Sequence, residues 1–398
     1  MHISKISSRG FLLLNFVSSA SISAAIITPA LPRLDQFYSL HTGQLEWVMT
    51  IFLIGYMMGQ IIYGPLSDRL GRINSLRIGL GFHLIGIIVC FEGYLSQNFS
   101  ILILGRFLAA IGSASGLVCA FTLIHESLEH SDAKSTFAYT SLSFGLAATL
   151  SIFFGGLITQ WVGWQYCFIF LFLHTLVLMF LTMKLPETYP KEMRIKKKEP
   201  EKDIKVSSNN FKKLISFASI SGLNVALIYT YTTAAPLISK SYLGLFPSVY
   251  GFWNLINVIG MVLGGISAAT LINRLGGMQM IRNGLLILSA VFISFLLIEV
   301  LNIKSSLWFF ITSSVMYFGG AWIFSSAAFY ASNAIQNKAL GSAVMSFINL
   351  LSAVVALIVL GYLPFKYLVS FIIVAAIFMT VGFFAFTSLR KQIKHKTK

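Results

Sequence analysis

Gly64-Pro65-Leu66-Ser67-Asp68-Arg69-Leu70-Gly71-Arg72 lies between two apolar spans of a 398-residue chain, and its reading decides the fold. A partial copy, Asn273-Arg274-Leu275-Gly276, follows in the second half. Asp and Arg at the edge of a bilayer are costly unless they carry a fixed task. Gly64 and Gly71 permit a short turn and close helix approach. The same device at matching places in two halves implies a duplicated membrane bundle, in which internal repeats enclose a site near the bilayer midplane.

Composition agrees. The chain is 56% hydrophobic and 11% charged, whereas a soluble domain carries about 25% charged residues. Mean hydropathy is +0.80. The apolar excess falls in runs of about 20 residues, the length that crosses a hydrocarbon core. Spans are predicted at 11–31, 45–66, 75–95, 99–122, 135–158 and 162–183, then at 212–237, 247–271, 280–301, 305–330, 338–361 and 365–388. The expected fold is an all-α membrane protein with twelve transmembrane helices in two pseudo-symmetric six-helix bundles. Residues 1–183 form the N-terminal bundle, 184–211 a cytoplasmic basic linker, and 212–398 the C-terminal bundle with a short basic tail.

The net charge of +16 would suit nucleic acid if it were clustered on a soluble face, and it is not. On the side of the N-terminus lie 24 of the 29 Lys and Arg; the opposite side holds Arg33, Lys240, Lys304 and Lys366, and Arg106 is inside the fourth span. The positive-inside rule then puts both termini in the cytoplasm of a multi-pass protein. Lys5 and Arg9 before Phe11-Leu12-Leu13-Leu14 imitate a signal peptide, but cleavage would leave an odd span count and invert the charge bias. The linker contains Lys196-Lys197-Lys198 and Ser207-Ser208-Asn209-Asn210 and has too few apolar residues to bury a core. It reads as a tether and topological anchor whose ten basic residues between 184 and 213 could also meet anionic lipid headgroups. Cys90, Cys119 and Cys167 fall within spans and make no disulfide framework or metal motif. No metal, cofactor or catalytic residue is expected: a His/Asp metal cluster, nucleophile motif and Gly-rich phosphate loop are all missing from the sequence, which argues against an enzyme.

Three stretches carry a resemblance. Pro29-Ala30-Leu31-Pro32 is followed by Gly55-x-x-x-Gly59-Gln60-x-x-Tyr63-Gly64-Pro65-Leu66-Ser67-Asp68-Arg69, and then by Arg106-Phe107-Leu108 with Gly112 beyond. The chain resembles the major facilitator superfamily, and over residues 29–116 its bicyclomycin-resistance type of drug exporter. Pro186-Glu187-Thr188 is a common superfamily ending to the sixth span, and Tyr229, Tyr231, Ala235 and Pro236 resemble the same branch's seventh. The resemblance implies that Asp68, Arg69 and Arg72, with Gly64 and Gly71, form a latch that closes the inner gate. Glu126 stands where an acid often partners the motif's arginine. In the second copy Asn273 replaces the acid, so a latch at Arg274 should be weaker.

Arg106 is a permanent charge inside a span, at a cost of at least about 2.5–3.5 kcal/mol at mid-membrane. It is expected to face a central cavity and meet a carboxylate, a proton-carrying site or an anionic substrate; the alternative is a structural cation satisfied by backbone carbonyls. The exporter branch usually carries an acid on the first span four residues before Pro29, and this chain has Ala25 there. Glu46, Glu92 and Glu299 lie toward outer ends, and Glu46 occupies a place where relatives commonly have Gln. His83 and His174 lie within spans three and six, as proton carriers or as packing residues. The fifth span keeps Gly155-Gly156 but has lost the branch's prolines, which removes a kink and puts the direction of export in doubt.

Tyr56, Tyr229, Trp253, Asn254, Asn257, Trp322 and Asn349 are the candidate substrate-binding residues, suited to a mostly apolar, partly polar molecule. The expected partners are a small-molecule substrate, protons and membrane lipids, with a monomer as the default. The leading expectation is proton antiport exporting a drug, metabolite or siderophore across a bacterial inner membrane. Uptake by symport or facilitated diffusion, and a sensor using a transporter fold, are the alternatives.

Overall fold

The computed structural model describes residues 7–190 and 208–394. Among them it is helical, with twelve helical segments long and apolar enough to cross a membrane, from Ser8–Tyr38 to Tyr367–Arg390. Inside hydrocarbon the backbone must satisfy its own polar groups, and helices do so within one segment. The helices are α1 (Ser8–Ala25), α2 (Leu31–Tyr38), α3 (Trp47–Leu70), α4 (Arg72–Leu95), α5 (Phe99–Ser127), α6 (His130–Trp161) and α7 (Tyr166–Leu181). Beyond the linker come α8 (Ser208–Ser241), α9 (Pro247–Asn254), α10 (Ile256–Leu275), α11 (Gly277–Val300), α12 (Ser306–Ser332), α13 (Lys338–Tyr362) and α14 (Tyr367–Lys394). Residues 191–207, which hold most of the expected linker and Lys196-Lys197-Lys198, lie outside the described residues.

Polar caps fix several starts. Ser7 Oγ accepts from Gly10 N before α1, Asn98 Oδ1 from Ser100 N before α5, and Asn337 Oδ1 from Leu340 N before α13. Two spans are interrupted. The first breaks after Ala25, because Pro29 has no N–H to offer the Ala25 carbonyl; the Thr28 hydroxyl donates to it instead at 2.9 Å. A 3₁₀ turn (Thr28–Ala30) then leads into α2. The eighth span breaks at Leu255, between α9 and α10.

Packing groups the chain into two compact units. Among the described residues, one gathers 7–40, 47–190 and 247–252; the other gathers 41–46, 208–246 and 253–394. In the first, α4 and α5 meet through glycines: a Cβ on Gly86 would run into Ala109 N, and one on Gly112 into His83 N. In the second, Gly260 and Gly264 of α10 lie against Ser314 O and Phe318 O of α12 in the same way. Cys90, Cys119 and Cys167 are buried free thiols.

The Gly64–Arg72 stretch departs from the expected turn. Helix α3 runs through Pro65 to Leu70, and α4 begins at Arg72. Gly71 alone breaks the path, at φ 94° and ψ 163°, a conformation closed to residues with a side chain. Gly64 is helical and has no neighbour within 4 Å of where a Cβ would stand, so it makes neither the turn nor a close helix contact. Gly276 repeats the device between α10 and α11, at φ 79°.

Candidate functional site

Because α3 and α4 are one residue apart, the last turn of one and the first residue of the other share a corner of the first unit. Arg72 Nη1 bonds Asp68 Oδ1 at 2.7 Å and reaches Ser67 Oγ at 3.3 Å. Its Nη2 bonds Glu126 Oε1 at 2.9 Å, at the end of α5. Asp68 is mostly exposed while the Arg72 side chain is only 9% exposed, so Arg72 is the enclosed centre of the group. Charge-assisted, nearly bidentate contacts of this kind hold both position and orientation.

A strap formed by residues 185–190 closes the corner. The Glu187 carboxylate accepts from Arg72 N at 2.9 Å and Ile73 N at 3.1 Å, capping the N-terminus of α4 where the helix dipole favours an anion. Thr188 Oγ1 donates to Glu126 Oε2, and the Tyr189 ring lies 4.5 Å from the Arg72 guanidinium carbon. Arg77 Nε reaches Thr182 Oγ1 at 2.9 Å, a further tie between α4 and the end of the sixth span. Sequence reasoning named Asp68, Arg72 and Glu126 but missed the roles of Glu187, Thr188 and Tyr189. The Pro186-Glu187-Thr188 run was the available signal. Arg69 is exposed and makes no ion pair among the described residues; Arg274 is likewise exposed in the last turn of α10.

Arg106 departs from the expected cavity-facing pair. It is 1% exposed, and its Nη1 donates to Ser23 O at 2.8 Å and its Nε to Val48 O at 3.3 Å. The guanidinium carbon stands 4.4 Å from the centre of the Phe52 ring, and no carboxylate pairs with it among the described residues. The physical reason is local: the break in the first span leaves carbonyls near Ser23 open to an outside donor, and Arg106 supplies one. His83 is fully buried between Ser23 Oγ at 3.0 Å and Thr175 Oγ1 at 3.1 Å. His174 is half-buried and stacks on Phe170. Glu46, expected as an acid at the outer end of the second span, precedes α3 in the connection and is 3% exposed, packed beside Gly361.

Several of the candidate substrate residues are engaged by neighbouring side chains. In the second unit Asn257 Nδ2 donates to Asn254 Oδ1 at 2.8 Å, and Ser313 Oγ to Asn257 Oδ1 at 2.7 Å. Tyr231, not Tyr229, joins them by donating to Ser313 Oγ at 2.9 Å. Trp253 stacks on Phe310; Trp322 Nε1 donates to Ser267 Oγ and Asn349 Oδ1 accepts from Ser221 Oγ. Tyr229 is half-buried on α8, and Tyr56 belongs to α3 of the first unit, where it is 5% exposed.

Comparisons place this geometry among known proteins. An uncharacterized transporter of Rickettsia bellii (strain RML369-C) is 26% identical over 265 residues, 66% of this chain and 65% of that protein. Multidrug resistance protein D of Escherichia coli (strain K12) is 24% identical over 180 residues, 45% of each chain. The chain thus spans less than two thirds of the length of either relative. The inward open structure of the xylose transporter XylE from E. coli superposes with a TM-score of 0.75 at 14% identity, covering 95% of both chains, which shows the fold. These neighbours are transporters and not enzymes. With the superfamily's model matching residues 11–359, the chain belongs to the Major Facilitator Superfamily, as a multi-pass membrane protein of a family that moves small molecules.

Proposed function

We propose that the chain is a proton-coupled exporter of a small organic compound, of the bicyclomycin-resistance type, acting as a monomer in a bacterial inner membrane with both termini in the cytoplasm. The observation that carries this reading is the Arg72 corner, where Asp68, Glu126 and the 185–190 strap converge on one enclosed guanidinium. Such a group is made of contacts that break together, as a latch in alternating access requires. In this reading Gly71 sets the corner, Gly64 and Arg69 flank it, and Arg274 belongs to a weaker counterpart. The partial likeness to multidrug resistance protein D supports a drug or metabolite as cargo. Arg106 takes part in coupling, with Glu46 and His174 as the remaining titratable candidates. Tyr56, Tyr229, Trp253, Asn254, Asn257, Trp322 and Asn349 remain the substrate-side candidates.

The second reading is uptake, favoured by Ala25 in place of the exporter acid and by a fifth span without proline. Purified protein in liposomes, with an inward-acid gradient and a trapped pH dye, separates the two. Cationic, neutral and siderophore-like compounds are added in turn, with Asp68→Asn as control. Dye recovery that needs the wild-type protein and one compound class establishes antiport. Protein-dependent uptake of labelled compound without dye recovery overturns it in favour of facilitated uptake.

A further inference from the structure

Four buried residues form a polar chain across the first unit, its last link made through the Ser23 backbone carbonyl. It starts at Thr175 on α7, passes through His83 on α4 and Ser23 on α1, and ends at Arg106 on α5, which also reaches Val48 O on α3. Thr175, His83 and Ser23 are fully buried and Arg106 is 1% exposed. The direction of the bonds can be worked out. The Thr175 hydroxyl donates to Leu171 O at 2.7 Å, so its oxygen accepts from His83 Nδ1–H. In the neutral ring the other nitrogen, Nε2, then accepts from the Ser23 hydroxyl.

Ser23 is therefore held from two sides, its hydroxyl by His83 and its carbonyl by Arg106. It stands where the first span breaks. Ile26 N still closes on Ile22 O at 3.1 Å, the next carbonyl is the one Arg106 takes, and Ile26 O passes against Gly155 of α6, where no Cβ would fit.

We infer that His83 is a positioning residue: acting through Ser23, it sets the guanidinium of Arg106 and pins the break in the first span. Both of its ring nitrogens are committed to hydroxyls, so it serves as a fixed spacer between α7 and α1. That this posture matters for coupling rests on the role given to Arg106 above; the posture itself does not.

The test is hydrogen–deuterium exchange on the full chain in lipid nanodiscs, read on peptides covering residues 20–31. His83→Leu should speed exchange there about ten-fold, the change that loss of one buried hydrogen bond produces. His83→Gln places a polar group near the Nε2 position and should stay within about twofold of wild type. Arg106→Leu should match His83→Leu, and the double variant should go no further than either, because both act on one bonded unit. If His83→Leu fails to fold, Ser23→Ala takes its place in the same cycle. Unchanged exchange in His83→Leu, equal effects of Gln and Leu, or multiplying effects in the double variant would each overturn the inference. The readout needs no substrate, so a failed transport assay beside an intact cycle would count against the proposed function alone.

Discussion

Arg72 is held by two carboxylates of unequal exposure, and their contributions should differ accordingly. Glu126 is 31% exposed and bonds both Nε and Nη2, whereas Asp68 is 70% exposed and screened by solvent. Glu126→Gln should lower stability by about 1–3 kcal/mol, because a nearly buried guanidinium loses its main charged partner. Asp68→Asn should cost less than about 1 kcal/mol, as exposed pairs do. Thermal unfolding of the two variants in detergent checks this, and equal losses would contradict it. Glu187 acts on backbone N–H groups, so Glu187→Ala should cost about 0.5–2 kcal/mol, the range of a lost helix cap. That loss should largely persist in an Arg72→Ala background, since the two bonds to Arg72 N and Ile73 N are made to the backbone. Asp68 and Arg72 were legible from their four-residue spacing around the joint, and Glu126 from the resemblance, which implies an acid at the end of the fourth span as the arginine's partner. Glu187 was visible only as part of the Pro186-Glu187-Thr188 run, which marks the end of the sixth span without saying that its carboxylate caps α4. Arg106 was legible as a buried charge, but its carbonyl partners depend on a break that residue types only hint at.

Among the elements, α4 offers a paired comparison. Gly86→Ala would drive a Cβ into the Ala109 backbone and should cost on the order of 1–3 kcal/mol or prevent accumulation. Gly81 is on the same helix with open space around it, so Gly81→Ala should be neutral or stabilise by up to about 1 kcal/mol. Thermal midpoints of the two variants measured side by side decide it. Apolar runs located all the spans, but helix ends extend past them: α5 continues to Ser127 and α6 begins at His130. With 29 residues α5 is roughly 43 Å long, well beyond a hydrocarbon core, so its last turn, ending in His125-Glu126-Ser127, is polar and invisible to hydropathy. The interruptions at residues 26–27 and at Leu255 were likewise hidden, because hydropathy says nothing about which carbonyl lacks a donor.

For the whole molecule, charge bias gives the orientation to be tested. A fluorescent protein fused after residue 398 should fluoresce, and alkaline phosphatase inserted in the 242–246 connection should be active. The reverse pattern would turn the protein over in the membrane and undo the assignment of the Arg72 corner to the inner gate. The substrate list was the least legible part. Asn254, Asn257, Trp322 and Asn349 each spend a bond on a neighbouring side chain, and a polar residue within a span does not announce whether its partner is protein or cargo. The one-residue joints at Gly71 and Gly276 act on another property, the tolerance of the chain to insertion and deletion. Adding or removing a residue there would change the direction in which the following helix leaves the joint, because each turn is made by a single glycine at positive φ. With Arg72 carried away from Glu126 the corner would come apart even with every side chain intact, so the residue count across the Gly71 joint is as constrained as the residues beside it.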